Sequence, residues 1–230
     1  MFSDKRKTIF RLLAVVSGFI GVALLSSVIY SLVSYKVLSK DKFPSLLNPM
    51  VEKSALTDEV YDYTKASNWF VGADKSQFEN DGVSYYNITI PRLKIENATV
   101  AIGGDDLSVH LIQYPGTALP GKRGNAVIFG HSTLPSFFNP DNYISIFSTL
   151  PILDKGDEIM VYYDGVEYRY RVETLFEVRP TDVQVLEQNI SDSFLTLVTC
   201  TPPGDPRKPK RLIVRARIVP LGNLNVYTRS

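Results

Sequence analysis

Cysteine and histidine are scarce in this chain of 230 residues, which contains one cysteine and two histidines. With Cys200 as the single thiol, no disulfide can form within the chain, and this excludes a disulfide-stabilised scaffold. Charge of either sign is not in excess, because the net charge is +1 and 21% of residues are charged. Neither a nucleic-acid surface nor a charged tail is therefore indicated. No internal repeat or low-complexity tract is present, and the length suits one well-packed domain with accessory segments.

Charge is entirely missing from one stretch near the N-terminus, the 22 residues from Leu12 to Val33. As a helix, this stretch is long enough to cross the roughly 30 Å of membrane hydrocarbon. Basic residues precede it, as in a secretory signal, but the run exceeds the 7–15 residues typical of a signal sequence and no clear cleavage site follows. We interpret residues 12–33 as an uncleaved transmembrane anchor. The alternative, a buried core helix, is disfavoured by length and flanking charge.

Orientation in the membrane is not decided by the flanking charges. Lys36, Lys40, Lys42 and Lys53 follow the run and nearly balance the basic residues before it. The positive-inside rule therefore leaves the location of the C-terminal part open, either cytosolic or exported.

The residue composition and pattern of the chain change twice after the anchor. Residues 34–81 have a mixed composition and are interpreted as a linker, with a possible short helix over Thr57–Lys65 capped by Thr57. Trp69-Phe70 is a candidate contact between this linker and the domain. From residue 82 to residue 220 the chain consists of short β-rich runs separated by turns, and residues 221–230 form a tail.

These short runs predict an all-β barrel or sandwich. Tyr163-Asp164-Gly165-Val166 predicts a tight hairpin, because Asp-Gly favours the positive φ angles of a primed turn. Helix is expected only over Tyr143–Leu150, with a turn near Val183–Gln188. The predicted strands are Tyr85–Pro91, Leu93–Ile95 with Ala98–Ile102, Asn125–Gly130, Glu158–Tyr163, Val166–Phe176, Leu195–Cys200 and Arg211–Val219.

Cys200 stands at the end of the strand-like run Leu195–Cys200, directly before the turn Thr201-Pro202-Pro203-Gly204. A thiol at a strand end can face a cleft, where a partner can deprotonate it. His131 follows the apolar strand that ends at Gly130, and two strand ends meet if the strands are neighbours in a closed sheet. His110 lies in an unbroken run and is better explained as a partly buried packing residue.

Arg211 begins the strand that follows Cys200. If the two strands form an antiparallel pair, Arg211 returns beside the thiol, where a guanidinium can hold an oxyanion. Arg215 and Arg217 alternate with apolar residues and fit the solvent face of the same strand.

The chain resembles the sortase family, the transpeptidases that attach proteins to bacterial cell walls. Thr196-Leu197-Val198-Thr199-Cys200 matches the family's Thr-Leu-x-Thr-Cys signature, Arg211-Leu212-Ile213-Val214 matches the arginine strand, and Gly130-His131 matches the histidine motif. The resemblance covers about Tyr85 to Pro220. Further matches are Ile90-Pro91-x-Leu93-x-Ile95, residues 114–121 and Pro180-Thr181-Asp182-Val183-x-Val185-Leu186.

This resemblance implies an eight-stranded sortase-type closed β-barrel behind one transmembrane helix, with a catalytic Cys200, His131 and Arg211. It implies a cysteine transpeptidase, of the cysteine peptidase class, whose thiolate cleaves a Leu-Pro-x-Thr-Gly-like motif at Thr-Gly. A thioacyl enzyme forms and is transferred to an amine. His131 is expected to be the general acid and then the general base, and Arg211 the stabiliser of the oxyanion or the substrate carbonyl.

The resemblance also implies where the protein acts and with which partners. The chain is expected to be a single-pass cell-membrane protein with residues 1–11 as a short cytoplasmic tail and an extracellular catalytic domain. Its expected partners are secreted proteins with a C-terminal sorting motif and an amine nucleophile of the cell envelope, and no nucleic acid. The thiol and imidazole are taken as an exposed pair that is mostly neutral at pH 7 and reacts through a minor thiolate–imidazolium fraction, a hypothesis based on the absence of an obvious carboxylate to orient His131.

Substrate-contact and metal hypotheses depend on the loops. Thr199 and Ser132, beside the nucleophile and the histidine, are candidate substrate contacts. Three apolar residues of the segment 178–194 are candidates for the pocket wall, or for the core: Val183, Val185 and Leu186. No cofactor is expected, and calcium remains an open alternative at the loop carboxylates Asp105, Asp106, Glu177, Asp182 and Glu187.

The subclass and two other functions remain open. The loop after Cys200 is short and proline-rich, as in the pilin-polymerising and smaller classes, but the Asp-Pro-aromatic lid of pilus enzymes is not evident. An L,D-transpeptidase-like enzyme would have its histidine close to the cysteine, and a papain-like protease would have its cysteine at a helix start. A non-catalytic, membrane-anchored β-domain that binds peptide or glycan is the alternative from a different class.

Overall fold

The computed structural model describes residues 2–44, 62–72, 78 and 84–220. The first element is a single helix, α1 (Phe2–Lys42), which contains the predicted span 12–33. Residues Thr8–Tyr35 are long and apolar enough to cross a membrane, and the most apolar window of this segment is not buried against the rest of the described chain. A core helix of a soluble domain would be mostly buried, so this exposure argues against that alternative.

The C-terminal end of α1 meets one mouth of the β-domain. The ring of Tyr35 stacks on Phe43 at 6.4 Å between centroids, and Phe43 is buried in the apolar cluster of the domain. The hydroxyl of Tyr35 donates to the Glu177 carboxylate at 2.8 Å and also bonds the hydroxyl of Thr201. Lys210 pairs with the same carboxylate at 2.7 Å, so the buried charge of Glu177 is compensated at this mouth.

Eight strands follow, and six of the predicted runs are strands whose ends agree within two residues. The remaining run, Leu93–Ile95 with Ala98–Ile102, is corrected in part, because Pro91–Leu93 forms a 3-10 turn ahead of a single strand. A strand of three residues was not predicted, since it is too short to show alternation. The strands are β1 (Ser84–Ile90), β2 (Ile95–Ile102), β3 (Leu111–Gln113), β4 (Gly124–Phe129), β5 (Glu158–Tyr163), β6 (Val166–Val178), β7 (Ser193–Thr201) and β8 (Lys210–Ile218).

The strands close into a barrel in the order β1-β2-β3-β4-β7-β8-β6-β5. The β2–β3 and β4–β7 pairs are parallel, and the others are antiparallel. The predicted all-β, eight-stranded closed barrel is confirmed. Closure removes the sheet edges that an open sheet would leave unpaired.

Local signals explain the turns, with one correction. Asp164 and Gly165 have φ angles of 51° and 75°, which confirms the primed hairpin turn between β5 and β6. The helix predicted over Tyr143–Leu150 is wrong, because the segment forms successive turns. The backbone N–H of Phe147 donates to the carbonyl of His131 at 2.9 Å, so it is not available to a helix.

The linker helix predicted over Thr57–Lys65 lies largely outside the described residues. Its last residues form a turn and an isolated bridge from Lys65 to Asp106, and a 3-10 turn follows at Ala66–Asn68. The predicted turn near Val183–Gln188 is a 3-10 turn at Val183–Leu186.

Two apolar clusters lie on opposite faces of the same strands. Leu197, Leu212 and Val214 belong to the cluster inside the barrel. The alternate residues Val198 and Ile213 belong to a second cluster outside the barrel, so β7 is buried over its whole length. Burying one such side chain stabilises the fold by about 1.5–3 kcal/mol. The outer cluster positions the candidate site.

Candidate active site

The pairing register brings three reactive side chains together on the outer face of β4, β7 and β8. Cys200 and Arg211 are direct partners across the antiparallel β7–β8 pair. In the parallel β4–β7 pair, Phe129 is opposite Val198, and two residues further along each chain stand His131 and Cys200. Because side chains alternate between faces, these residues lie in one row at the same end of the barrel.

Two hydrogen bonds hold the chain after β4 beside β7. The hydroxyl of Thr199 donates to the carbonyl of Gly130 at 2.8 Å, and the hydroxyl of Ser132 donates to the carbonyl of Cys200 at 2.7 Å. A Cβ atom at position 130 would lie 2.4 Å from a ring carbon of Phe147, so only glycine allows this close approach. These hydrogen bonds and the close approach at Gly130 place His131 beside the end of β7.

Cys200 and His131 are buried, at 2% and 5% exposure, which corrects the expectation of an exposed pair. The cover is the segment 62–72, called the N-terminal strap below. Trp69 of the strap is fully buried, and its ring stacks on Phe129 at 5.2 Å and lies 5.8 Å from the ring of His131. The predicted packing contact of Trp69-Phe70 with the domain is confirmed.

Backbone hydrogen bonds fix the strap to the barrel. The N–H of Ala66 donates to the carbonyl of Asp105 at 2.9 Å, and the N–H of Leu107 donates to the carbonyl of Thr64 at 2.8 Å. At the other end, the N–H of Val71 donates to the carbonyl of Pro180 at 2.9 Å. The strap therefore spans from the β2–β3 connection to the β6–β7 connection, across the outer face that carries the site.

The imidazole of His131 is neutral at physiological pH. Burial, and after it the positive charge of Lys208, lower the pKa of His131 to about 4, against the opposing effect of Asp106 and Asp62. Its Nε2 atom is buried and has no hydrogen-bond partner among the residues that the structure describes. An unpaired buried nitrogen is costly, and it leaves a position at which a proton can be exchanged.

Arg211 is a buried cation, at 1% exposure, held by carbonyl groups. Its Nε donates to the carbonyl of Trp69 at 3.1 Å, and its Nη1 donates to the carbonyls of Lys208 at 2.8 Å and Lys210 at 3.0 Å. Its Cζ atom is 5.5 Å from the ring centroids of both Trp69 and Tyr63. The guanidinium thus contacts two aromatic rings of the strap.

Within the described ranges, no carboxylate lies within salt-bridge distance of the Arg211 guanidinium, and its Nη2 atom makes no hydrogen bond. A buried cation without a counter-ion is costly in a folded protein. The same arrangement leaves a positive charge and the two N–H groups of Nη2 for an anionic species bound at the site.

The hydroxyls of the two predicted polar substrate contacts are both bonded within the protein. The hydroxyl of Thr199 lies on the inner side of β7, is fully buried and is used by Gly130. The hydroxyl of Ser132 is also buried and is used by the carbonyl of Cys200. Both hydroxyls join β4 to β7, a role for which the sequence offers no signal because it depends on the parallel pairing.

The three predicted apolar pocket residues fall into different environments. Val185 is buried in the outer cluster. Leu186 is partly buried and packs against that cluster. Val183 is 40% exposed on the surface of the β6–β7 connection. Val185 therefore takes the core alternative, whereas Val183 and Leu186 remain candidates for a substrate wall.

The β6–β7 connection is held by two side chains that the sequence did not single out for this role. The side chain of Gln188 accepts from the N–H of Asn125 at 3.0 Å and donates to its carbonyl at 3.1 Å. Arg215 donates to the carbonyl of Val185 at 3.2 Å. The solvent-face prediction is therefore wrong for Arg215, which is half-buried, and confirmed for the exposed Arg217.

Four of the five carboxylates named for calcium accept hydrogen bonds or pair within the protein, and the fifth, Glu187, is exposed. Asp105 accepts from the backbone and hydroxyl of Ser67, and Asp106 accepts from Ser108. Asp182 accepts from the N–H of Arg179 at 2.8 Å. Among the residues that the structure describes, no group of three His, Cys, Asp or Glu side chains is placed to hold a metal ion. Glu177 is bound at the barrel mouth, as described above.

His110 is a packing residue, as the sequence favoured. It is half-buried, and its ring lies 5.2 Å from the ring of Tyr85 and 6.0 Å from the ring of Tyr143.

Comparison with known proteins gives one consistent result. A family model of the sortase domain matches residues 88–219, more than half of the chain. Sortase A of Bacillus anthracis is 33% identical over 97 residues, which are 42% of this chain and 41% of that protein, so the match spans about two fifths of this curated relative.

Solved structures agree with the family model. Sortase C-1 from Actinomyces oris superimposes with a TM-score of 0.52 at 28% identity, covering 63% of this chain and 77% of that one. The Sortase D5 transpeptidase of Clostridium perfringens superimposes with a TM-score of 0.50 at 28% identity, covering 59% and 78%. The barrel, the order of its strands and the matched sequence together show that the chain belongs to the sortase family.

Proposed function

We propose that this protein is a cysteine transpeptidase of the cell envelope, with Cys200 as nucleophile. It would cleave a Leu-Pro-x-Thr-Gly-like sorting motif between Thr and Gly and transfer the acyl group to an amine. The observation that carries this proposal is the convergence, at three adjacent strand ends, of a thiol, a neutral imidazole and a guanidinium that has no carboxylate partner among the described residues. Membership of the sortase family and the likeness to a protein described as a transpeptidase support it.

In the first half-reaction, the sulfur of Cys200 forms a bond to the threonine carbonyl carbon while its proton passes to His131. A neutral imidazole is needed for this step, and the lowered pKa of His131 supplies it. The negative charge that develops on the carbonyl oxygen is stabilised by Arg211. When the C–N bond to glycine breaks, the imidazolium gives its proton to the leaving amine, and a thioester remains on Cys200.

In the second half-reaction, an acceptor amine attacks the thioester carbonyl. His131 takes the proton of the amine, a new C–N bond forms, and the C–S bond breaks. The proton then returns to the departing sulfur, which regenerates the thiol and the neutral imidazole. No oxidant, reductant or metal is needed, because each half-reaction exchanges one acyl bond for another.

The location of the enzyme belongs to the same proposal. α1 would anchor the chain as a single-pass membrane protein, with the barrel on the outer side, where secreted proteins with a C-terminal sorting motif and envelope amines are found. The exposed apolar surface of α1 supports the anchor.

The test uses the full chain in detergent, because a domain cut at Asn68 would remove Tyr63 from the site. The protein is incubated with a Leu-Pro-x-Thr-Gly peptide, with and without a glycine or amino-sugar amine. Mass spectrometry is expected to show a thioacyl adduct on the wild type, its conversion to a ligated product by the amine, and no adduct on Cys200→Ala. Since the chain has one cysteine, the adduct has one possible site.

A non-catalytic β-domain that binds peptide or glycan is the competing function. It predicts peptide binding without an adduct across several Leu-Pro and Leu-Ala peptides. It gives no reason to bury a guanidinium, which has no carboxylate partner in the described part of the chain, beside a thiol and an imidazole, since burying such groups costs stability.

A further inference from the structure

The β7–β8 loop, residues 202–209, carries a lysine whose backbone is part of the site. The carbonyl of Lys208 accepts from Nη1 of Arg211 at 2.8 Å, and its N–H donates to the carbonyl of Asp205 at 3.1 Å. Its φ angle is 46°, in the left-handed region that few non-glycine residues adopt. Hydrogen bonds on both sides of the residue therefore hold an unusual backbone conformation next to Arg211.

The side chain of Lys208 is fixed by the N-terminal strap. Its Nζ lies 4.7 Å from the ring centroid of Tyr63, the same ring that Arg211 contacts at 5.5 Å. Two cations thus share one aromatic ring, and Lys208 is half-buried there. Among the described residues, no carboxylate lies within salt-bridge distance of its ammonium group. The ammonium is therefore held at the site by a π-face and not by an ion pair.

The charged and titratable groups that interact with Lys208 come from β7, β8, the strap and the segment after β4. They are Cys200 of β7, Arg211 of β8, Asp62 and Tyr63 of the strap, and His131 after β4. Burial lowers the pKa of Lys208, and the negative forms of Cys200 and Asp62 oppose that effect. The interaction is reciprocal, because a cation that is favoured by a thiolate also favours the thiolate.

We propose that Lys208 is a second cation of the active site, and that its ammonium stabilises the negative charge of the Cys200 sulfur. This inference deepens the proposed function and rests on it. The neutral imidazole of His131 provides no positive charge in the resting enzyme, so Lys208 and Arg211 are the cations of the site that can stabilise negative charge on the sulfur. Arg211 is assigned to the oxyanion, which leaves the ammonium of Lys208 for the sulfur.

Lys208 also acts on the proton that leaves the sulfur. As the thiol proton moves to His131, negative charge grows on Cys200 and is stabilised by the ammonium. The imidazolium formed beside Lys208 is disfavoured, which makes it a stronger acid toward the leaving amine. The same cation thus assists bond formation at sulfur and protonation of the amine. Asp106 and Asp62 face His131 with the opposite sign and limit this effect.

The test is the pH dependence of alkylation of the full chain by iodoacetamide, read by mass spectrometry. The thiolate displaces iodide, and the single cysteine makes the reaction a titration of Cys200 alone. Lys208→Asn removes the charge, and asparagine tolerates the left-handed backbone of this position. The midpoint is expected to rise by about one pH unit, which lowers the thiolate fraction at neutral pH about tenfold.

Two further variants separate charge from structure. Lys208→Arg keeps the positive charge and is expected to keep the wild-type midpoint within a few tenths of a unit. Arg207→Gln removes a cation one residue away, whose side chain is 82% exposed and paired with Asp205, and is expected to leave the midpoint unchanged. The midpoint, unlike the rate, does not depend on how easily the reagent reaches the buried sulfur.

An unchanged midpoint in folded Lys208→Asn would overturn the inference, and so would an equal shift in Arg207→Gln. If Lys208→Asn fails to fold, Lys208→Gln is titrated in the same way, and the wild type is titrated at low and high salt, where screening should raise the midpoint. The alkylation assay needs no substrate. Loss of the peptide adduct in the wild type would contradict the proposed function, whereas an unmoved midpoint contradicts only the role of Lys208.

Discussion

Inside the barrel, Leu195 and Leu197 of β7 lie in an apolar cluster, whereas on the outer face of the same strand Val198 and Cys200 lie beside an imidazole and a guanidinium. Both faces are buried, but by different means. The inner face is covered by the other strands of the closed barrel, and the outer face by the N-terminal strap and the β6–β7 connection. The inner cluster stabilises the fold, whereas the outer cluster holds buried polar and charged groups whose desolvation is unfavourable.

Along β7, the inner face therefore serves mainly the stability of the fold, and the outer face serves mainly the chemistry of the site. A fully apolar interior tolerates substitution in proportion to the volume removed. A site with a buried cation and an unpaired nitrogen depends on exact donor geometry, because each group is desolvated and held at a fixed position. Substitutions on the inner face should therefore change mainly the free energy of unfolding, and substitutions on the outer face should change mainly the rate of the reaction or its dependence on pH.

The largest expected effect is on the outer face. Arg211→Lys should lower the rate of thioacyl formation about 10²- to 10³-fold, because lysine lacks the planar fork that bonds three carbonyls and still presents Nη2. The rate is measured per folded molecule with the peptide substrate. Arg217→Lys is the matched control, since Arg217 is exposed and paired with Glu173 at 2.8 Å. A similar loss in both variants would contradict the assigned role of Arg211.

The next effect is on the inner face. Leu197→Ala should lower the free energy of unfolding by about 2–5 kcal/mol, from lost burial and the cavity that remains. Denaturant unfolding of the full chain measures this change. Thioacyl formation per folded molecule should stay near the wild-type value, because Leu197 points away from Cys200. A loss of activity comparable to that of Arg211→Lys would show that the two faces are coupled.

The smallest effect is the pH dependence of stability caused by His131. Its pKa is about 4 in the folded protein and ordinarily 6.5, so the unfolded chain binds the proton more readily between these values. The stabilisation is complete above pH 6.5 and is lost as the pH falls toward 4, by up to about 3 kcal/mol. His131→Gln should remove this slope from pH-dependent unfolding curves, and His110→Gln should retain it. An equal slope in wild type and His131→Gln would contradict the burial of a neutral imidazole.

Much of the barrel was predictable because its signals are local. Alternation of apolar residues, the Asp-Gly turn between β5 and β6, and the Pro/Gly break after β7 each act within a few residues. β3 was missed because three residues cannot show alternation. The helix over 143–150 was predicted wrongly because a distant carbonyl, that of His131, takes the N–H of Phe147.

The site was predictable only in its reactive groups. Cys200, His131 and Arg211 stand at strand ends in the sequence, and the register of three strands places them together. Thr199 and Ser132 were assigned to the substrate because they neighbour reactive residues, whereas the parallel β4–β7 pair uses both hydroxyls internally. Side-chain direction at a strand end depends on the partner strand, and sequence spacing does not contain it.

By itself, the amino-acid sequence determined the apolar helix, the strand-rich domain and the identity of the three reactive side chains, because periodicity and turn chemistry are properties of neighbouring residues. The tertiary structure alone decided that the thiol and imidazole are buried, that Trp69 and Tyr63 contact Arg211, and that Lys208 shares the ring of Tyr63. These features join segments separated by more than sixty residues. The lowered pKa values of His131 and Lys208 follow from desolvation and from charges close in space, which no local pattern encodes.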